Sequence, residues 1–183
     1  MIGWTDLPAD LSDTARIARL GTFLPRAPIA WSDLRRAAAT AAAIAGDRPR
    51  LGPDPRLREL HFGAWEGRRF DELGEDEALR LRRFYEDPGD RAPPGGESWN
   101  LFRARITAAI ADLRKRARRR AAPDGGETDL VIVAHMGVIM AAIELAGDLP
   151  AGSAFGHVIE PLSVTRTRHA DTAGGVDFVG TEI

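Results

Sequence analysis

Three short segments of this chain place charged side chains where they could handle an oxyanion. Arg35 and Arg36 follow Trp31-Ser32-Asp33-Leu34, in the first turn of a helix that a short apolar run introduces. A helix N-terminus carries a partial positive charge and favours acidic residues, so two arginines there conflict with the dipole unless an anion is bound. A pair of surface arginines is the alternative. His135 ends the apolar run Leu130-Val131-Ile132-Val133-Ala134 and stands just before a second helix, with Gly137 leaving room for a ligand. The carboxyl end of a buried parallel strand is where open α/β sheets bind ligands; a structural histidine is the alternative. Arg58-Glu59-Leu60-His61-Phe62-Gly63 sets a carboxylate among basic and aromatic residues with no clean period, and alone it is a solvated charged loop. Beside Arg36 and His135 it completes what phosphoryl transfer needs, cations to hold oxygens and a carboxyl group to move a proton.

The elements that must position these residues are legible in outline. A turn from Leu7 to Asp13 predicts a helix N-cap at Asp10 or Ser12 and a helix to about Phe23, stopped by Pro25 and Pro28. Pro28-Ile29-Ala30-Trp31 predicts a buried strand feeding a capped helix from Asp33 to about Gly46. Asp47 to Pro55 reads as loop, Arg56 to Gly67 as irregular structure with a short strand at most, and the stretch to about Glu86 as helical. Asp87 to Gly96 is a Pro- and Gly-rich loop. Glu97 to about Arg120 is a long amphipathic helix with Leu101, Ile106, Ile110 and Leu113 inward. A polar loop from Pro123 to Asp129 precedes a central parallel strand, Leu130 to Ala134, and a helix from Gly137 to about Ala146. Ser163 to Thr181 predicts a hairpin turning near Thr172 to Gly175.

With 183 residues, the chain fits one domain spanning 1–183, with one core. Its 25 basic and 27 acidic residues leave a net charge of -2, so any phosphate affinity must be local. Without cysteine there is no thiolate nucleophile and no disulfide. That composition, together with the lack of a signal segment or a long apolar run, predicts a soluble, unprocessed, cytoplasmic protein with no membrane partner.

The same segments resemble the histidine phosphatase superfamily, the phosphoglycerate-mutase-like enzymes. Ser32-Asp33-Leu34-Arg35-Arg36-Ala37 with Thr40 looks like its phosphate-arginine segment, and Arg56-Leu57-Arg58-Glu59-Leu60-His61-Phe62-Gly63-Ala64-Trp65-Glu66-Gly67 resembles its acid segment. Pro94-Gly95-Gly96-Glu97-Ser98 matches the loop opening its long helix, Val131 to Gly137 its second-histidine segment, and Leu162-Ser163-Val164-Thr165 its late strand. The resemblance implies an α/β three-layer sandwich with a mostly parallel central sheet. It implies Arg36, Glu59 and His135 as catalytic residues, with Glu59 donating and accepting the proton. It further implies Gly3, Arg36, His135 and Met136 at the substrate, a small phosphorylated compound, and neither cofactor nor metal. Homo-oligomers are left open.

Family members begin with an apolar strand ending in Arg-His, whose histidine forms a phosphohistidine. Here Ile2 to Pro8 resembles the piece after that motif, so the first strand is expected to be missing and the chain to be part of a longer protein. A permuted nucleophile at Arg168-His169 follows an exposed rather than a buried strand, and His61, His157 and His169 fit neighbours or surface residues better than substitutes. The short connection between acid segment and long helix resembles the family's phosphatases more than its mutases. The expected function is therefore a phosphomonoester hydrolase. A phosphate-ester binding pseudophosphatase and a phosphoglycerate-type mutase are the alternatives. Nucleic-acid binding through Arg114 to Arg120 is disfavoured, because no aromatic residues interleave those charges. The region from Arg68 to Gly96, with Arg68, Arg69, Arg80, Arg82, Arg83 and Phe84, is expected to cap the site and select the leaving group.

Overall fold

Ile29-Ala30-Trp31 forms β1 (Ile29–Trp31), and its parallel neighbours on either side are β2 (Arg50–Pro53) and β3 (Val131–Val133). The computed structural model describes residues 1–120, 128–169 and 174–183. Side chains alternate across each strand, so the sheet sorts its residues between two cores. Ile29, Trp31, Val131 and Val133 pack with Leu20 of α1 (Thr14–Phe23) and with Ala41 and Ile44 of α2 (Arg35–Ile44). Ala30, Ile132 and Ala134 join Leu51 of β2 on the other face. There they meet Phe102, Ile106 and Leu113 of α4 (Trp99–Arg118) and Val138 and Ala141 of α5 (Met136–Gly147). Helices on both faces of a parallel sheet make this the α/β sandwich that was expected. α3 (Glu75–Glu86) adds Leu81 and Phe84 to the second core. β4 (Val164–Arg168) and β5 (Gly175–Thr181) form a separate antiparallel pair, as the terminal hairpin predicted; the turn expected near Thr172 and the loop from Pro123 lie largely outside the described residues.

Several local expectations are corrected. Asp47 to Pro55 is not all loop, since Arg50 to Pro53 pairs with β1 through backbone groups although Leu51 is its only buried side chain. A strand held by its ladder need not announce itself by alternation. β3 is not central: among the described residues it pairs with β1 alone, and β1 is the middle strand. Leu101 is 66% exposed, because the buried stripe of α4 runs Trp99, Phe102, Ile106, Ala109, Ile110, Leu113, whose centre lies about 130° around the helix from it. The first helix is capped by Asp13, whose carboxylate accepts from Arg16 N–H, and not by Asp10 or Ser12. α2 lacks a local side-chain cap; the N–H of Arg35 instead donates to Asp6 Oδ1 at 2.7 Å, a partner 29 residues away.

Basic residues at the end of α4 serve the fold: Arg114 donates to the carbonyl of His169, Arg116 to that of Leu51 and Arg120 to that of Arg50. Arg48 does the same job where α1 and α2 end. It is buried, and its guanidinium donates to the carbonyls of Gly21 (2.8 Å), Pro25 (2.8 Å) and Ile44 (2.9 Å). These include the unpaired acceptors that helix ends leave over, and a cation there also suits the dipole. Arg48→Met should therefore lower the unfolding free energy by about 2 kcal/mol or more, because those carbonyls lose a buried donor; urea denaturation followed by far-UV circular dichroism checks it.

Candidate active site

The carboxyl ends of β1 and β3 lie side by side, and each leads into a helix whose first turn carries a candidate residue. Arg36 follows β1 and His135 follows β3 as the N-cap of α5. The adjacency of the strands brings them together: Arg36 Nε donates to His135 Nδ1 at 3.3 Å. The rest of the guanidinium is held from the N-terminal segment. Nη2 donates to the carbonyl of Gly3 at 2.7 Å and Nη1 to that of Thr5 at 2.9 Å. Arg35, the other arginine of that turn, is exposed.

Since Nδ1 of His135 accepts, its proton sits on Nε2. That Nε2–H is buried and has no partner among the described residues. Burial first, then the charges of Arg36 and Arg105, push the imidazole pKa down to about 3. The ring is therefore a neutral hydrogen-bond donor at physiological pH.

Glu59 reaches the same place from irregular backbone. Its Oε2 accepts from the N–H of Gly137 at 3.0 Å and its Oε1 from its neighbour Leu60 at 2.8 Å. The contact with α5 is so close that a Cβ on Gly137 would lie 2.3 Å from Glu59 Oε1, so only glycine fits. Burial pushes the Glu59 carboxyl above the usual range, against those two hydrogen bonds and the charges of Arg36 and Arg105. A carboxyl group raised by burial keeps its proton to higher pH than a solvated one, which suits it to proton transfer.

Residues assigned no individual role from the sequence turn out to hold this arrangement. Arg105, one turn along α4 from Leu101, donates to the carbonyls of Arg56, Arg58 and Glu59, each at 2.8 Å, and pairs with Glu97 at 2.7 Å. Asp33 binds Arg58 at 2.6 Å, and the Arg58 guanidinium lies 4.9 Å from the ring centre of Trp4, whose Nε1 donates to the carbonyl of Glu59. Glu66 gathers N–H groups of the N-terminal segment. None of these was legible, since each role depends on a partner tens of residues away.

Other expected residues have different places. Met136 is 52% exposed in the first turn of α5, beside His135. Phe84 is in the core, and Arg68, Arg69 and Arg82 pair with Glu77, Asp71 and Glu86 on their own stretch of chain. On that stretch Tyr85 is 42% exposed, and partial desolvation, then the charge of Glu59, raise its hydroxyl pKa. His61 stacks against Trp4 at 4.6 Å, and His169 meets Thr167 Oγ1 at 3.0 Å. Among the described residues no second imidazole is hydrogen-bonded to the Arg36–His135 pair.

Two adjacent strand ends of an α/β sandwich thus carry an arginine and a neutral histidine, with a buried carboxyl group behind them. The chain belongs to the histidine phosphatase superfamily (branch 1), whose family model matches residues 1–181. It is similar to the glucosyl-3-phosphoglycerate phosphatase of Mycolicibacterium vanbaalenii, 36% identical over 151 residues that cover 79% of this chain and 66% of that protein. It is also similar to the adenosylcobalamin/alpha-ribazole phosphatase of Salmonella typhimurium, 29% identical over 140 residues covering 73% and 64%. The chain thus spans between 45% and 66% of the length of the curated relatives it matches. Among solved structures, YhfR of Bacillus stearothermophilus superimposes with a TM-score of 0.81 at 27% identity, covering 98% of this chain and 88% of that one. No helix among the described residues is long and apolar enough to cross a membrane.

The depressed imidazole pKa has a consequence for stability. The unfolded ring takes up a proton below its ordinary 6.5, whereas the native ring refuses it until about 3. Stability from this group is therefore full above 6.5 and is lost as the pH falls toward 3. His135→Asn should flatten that part of the stability profile by up to about 1.4 kcal/mol per pH unit, measured by denaturant titrations between pH 7 and 4.

Proposed function

We propose that the chain, acting as one domain, is the phosphoryl-holding and proton-transferring body of a phosphomonoester hydrolase. The observation that carries this is the Arg36–His135 pair at the ends of neighbouring strands, with the unpartnered Nε2–H of His135 beside it. Of the five N–H groups of a guanidinium, three bonds are accounted for, which leaves one N–H on each terminal nitrogen of Arg36. Those two and the imidazole N–H form a set of donors suited to the oxygens of a transferring phosphoryl group.

The reaction has two halves. A histidine attacks phosphorus while the ester oxygen leaves and takes the proton held by Glu59, giving a phosphohistidine and an alcohol. Water then attacks the phosphohistidine and loses its proton to the Glu59 carboxylate, which restores both groups and releases phosphate. The attacking ring is taken to be that of the Arg-His motif with which members of the family begin, and among the described residues no second imidazole is hydrogen-bonded to the Arg36–His135 pair. That fact also supports a second reading, a protein that binds phosphate esters without turning them over. The relatives' names, phosphatases rather than mutases, support hydrolysis over isomerisation, and the substrate is taken to be a small phosphorylated compound.

Calorimetry with orthophosphate and turnover of p-nitrophenyl phosphate in the presence of a chelator test these readings together. The 183-residue chain is expected to bind phosphate, and Arg36→Ala and His135→Ala should each weaken binding by about tenfold or more, the worth of a charge-assisted hydrogen bond. The protein from its native source is expected to hydrolyse the ester through an acid-labile phosphoprotein, with Glu59→Gln slowing turnover by about 10²-fold or more. Unchanged phosphate affinity in both Arg36 and His135 variants would remove the site assignment. Ester binding without turnover by the native protein would leave the binding-protein reading.

A further inference from the structure

The Arg36 guanidinium can present a fixed pair of N–H groups only if the carbonyls of Gly3 and Thr5 stay where they are. Those carbonyls belong to a segment that bends at Gly3 and Trp4, pairs with no strand among the described residues and contributes little to either core, so something else must hold it. Glu66 supplies the hold. Its Oε2 accepts from Gly3 N–H (3.1 Å), Thr5 N–H (3.0 Å) and Thr5 Oγ1 (2.6 Å), and its Oε1 accepts from Trp4 N–H (2.8 Å) and Phe62 N–H (3.1 Å). Five donors from two segments thus converge on one carboxylate. Burial works against the charge, but this donor set more than offsets it and holds the group ionised down to about 2. The approach is tight enough that a Cβ on Gly3 would lie 2.4 Å from Glu66 Oε1 and 2.1 Å from the carbonyl of Leu60. Gly3 is therefore fixed by the carboxylate as well as by Arg36. The start of the chain is tied down beside it, with Gly67 N–H donating to the carbonyl of Met1 at 2.8 Å.

We propose that Glu66 is a positioning residue for Arg36: its carboxylate draws in the N–H groups of residues 3–5, which aims the carbonyls of Gly3 and Thr5 at the guanidinium and sets the fork that faces the phosphoryl group. The segment bends at Gly3 and Trp4, which turns the successive N–H groups of residues 3–5 toward one carboxylate, and within the trans peptide joining Gly3 to Trp4 the carbonyl points opposite to the N–H, so Trp4 N–H faces Glu66 while the Gly3 carbonyl faces Arg36. The negative charge of Glu66 is thereby linked to the positive charge of Arg36 through neutral backbone, without a direct ion pair that would compete with a bound anion. The inference rests on the phosphate-site reading above for its purpose, but its geometry stands without it.

The test has two readouts, one independent of phosphate. In the 183-residue protein the ¹⁵Nη–¹Hη resonance of Arg36, from the groups bound to the Gly3 and Thr5 carbonyls, is expected to be dispersed and slow to exchange with water, and to collapse to the free-arginine position in Glu66→Ala and Glu66→Gln. Arg48→Met serves as a control that lowers stability at a distance, and there the Arg36 resonance should be kept. Orthophosphate affinity is expected to fall by about tenfold in the Glu66 variants and to change less than about twofold in Arg48→Met, as sites without shared partners behave. In an Arg36→Lys background, where a single ammonium replaces the planar fork, Glu66→Ala should cost no further affinity. An unchanged Arg36 resonance in both Glu66 variants would overturn the proposal, as would an equal loss of affinity with arginine or lysine at position 36. If the native chain binds no phosphate at all while the resonance behaves as expected, the functional reading fails and the positioning role stands.

Discussion

One guanidinium ties together parts of this molecule that are otherwise remote from each other. Arg36 sits in the first turn of α2, and its three recorded partners come from residues 3 and 5 at the start of the chain and from residue 135 after β3. Each bond is charge-assisted, and the planar fork sets their directions relative to one another. Remove that group and the N-terminal segment loses its two carbonyl contacts, the imidazole loses the donor that fixes its tautomer, and the ends of β1 and β3 keep only their backbone pairing.

Around this cation, burial acts in opposite senses on the two titratable neighbours. It raises the carboxyl of Glu59 and lowers the imidazole of His135, since in both cases the charged form is the one that loses water. Both changes favour neutral groups. The positive charge here is thus concentrated on Arg36, with that of Arg105 balanced by Glu97.

The heavy use of arginine, with Lys115 the only lysine, fits a recurring structural device. Arg36, Arg48 and Arg105 each bind two or more backbone carbonyls, Arg36 and Arg105 within one segment apiece and Arg48 from two. A lysine ammonium is a point charge and cannot set two or three carbonyls in fixed mutual directions as a planar guanidinium does. Arg48 joins two helix ends, Arg105 shapes the irregular backbone that carries Glu59, and Arg36 shapes the site itself.

The sequence by itself determined what depends on near neighbours. The apolar runs at Ile29 and Val131 specify strands, the polar residues after them specify helix starts, and the order of the five motifs specifies the family and its sandwich. It also marked Arg36, Glu59 and His135, because each stands at a strand end or in a motif readable within about ten residues. Tertiary structure alone decided what depends on distant partners: the strand at Arg50 to Pro53, whose residues carry no strand pattern and are held by the ladder to β1; the cap of α2 by Asp6; and the carbonyl clamps of Arg48 and Arg105. The phase of α4 that turns Leu101 to solvent also needed the fold, since a shift of one residue on a helix rotates a side chain by about 100°. The pairing of Arg36 with His135, 99 residues apart, belongs to this second group, because only the lateral register of β1 against β3 brings their two loops to the same edge.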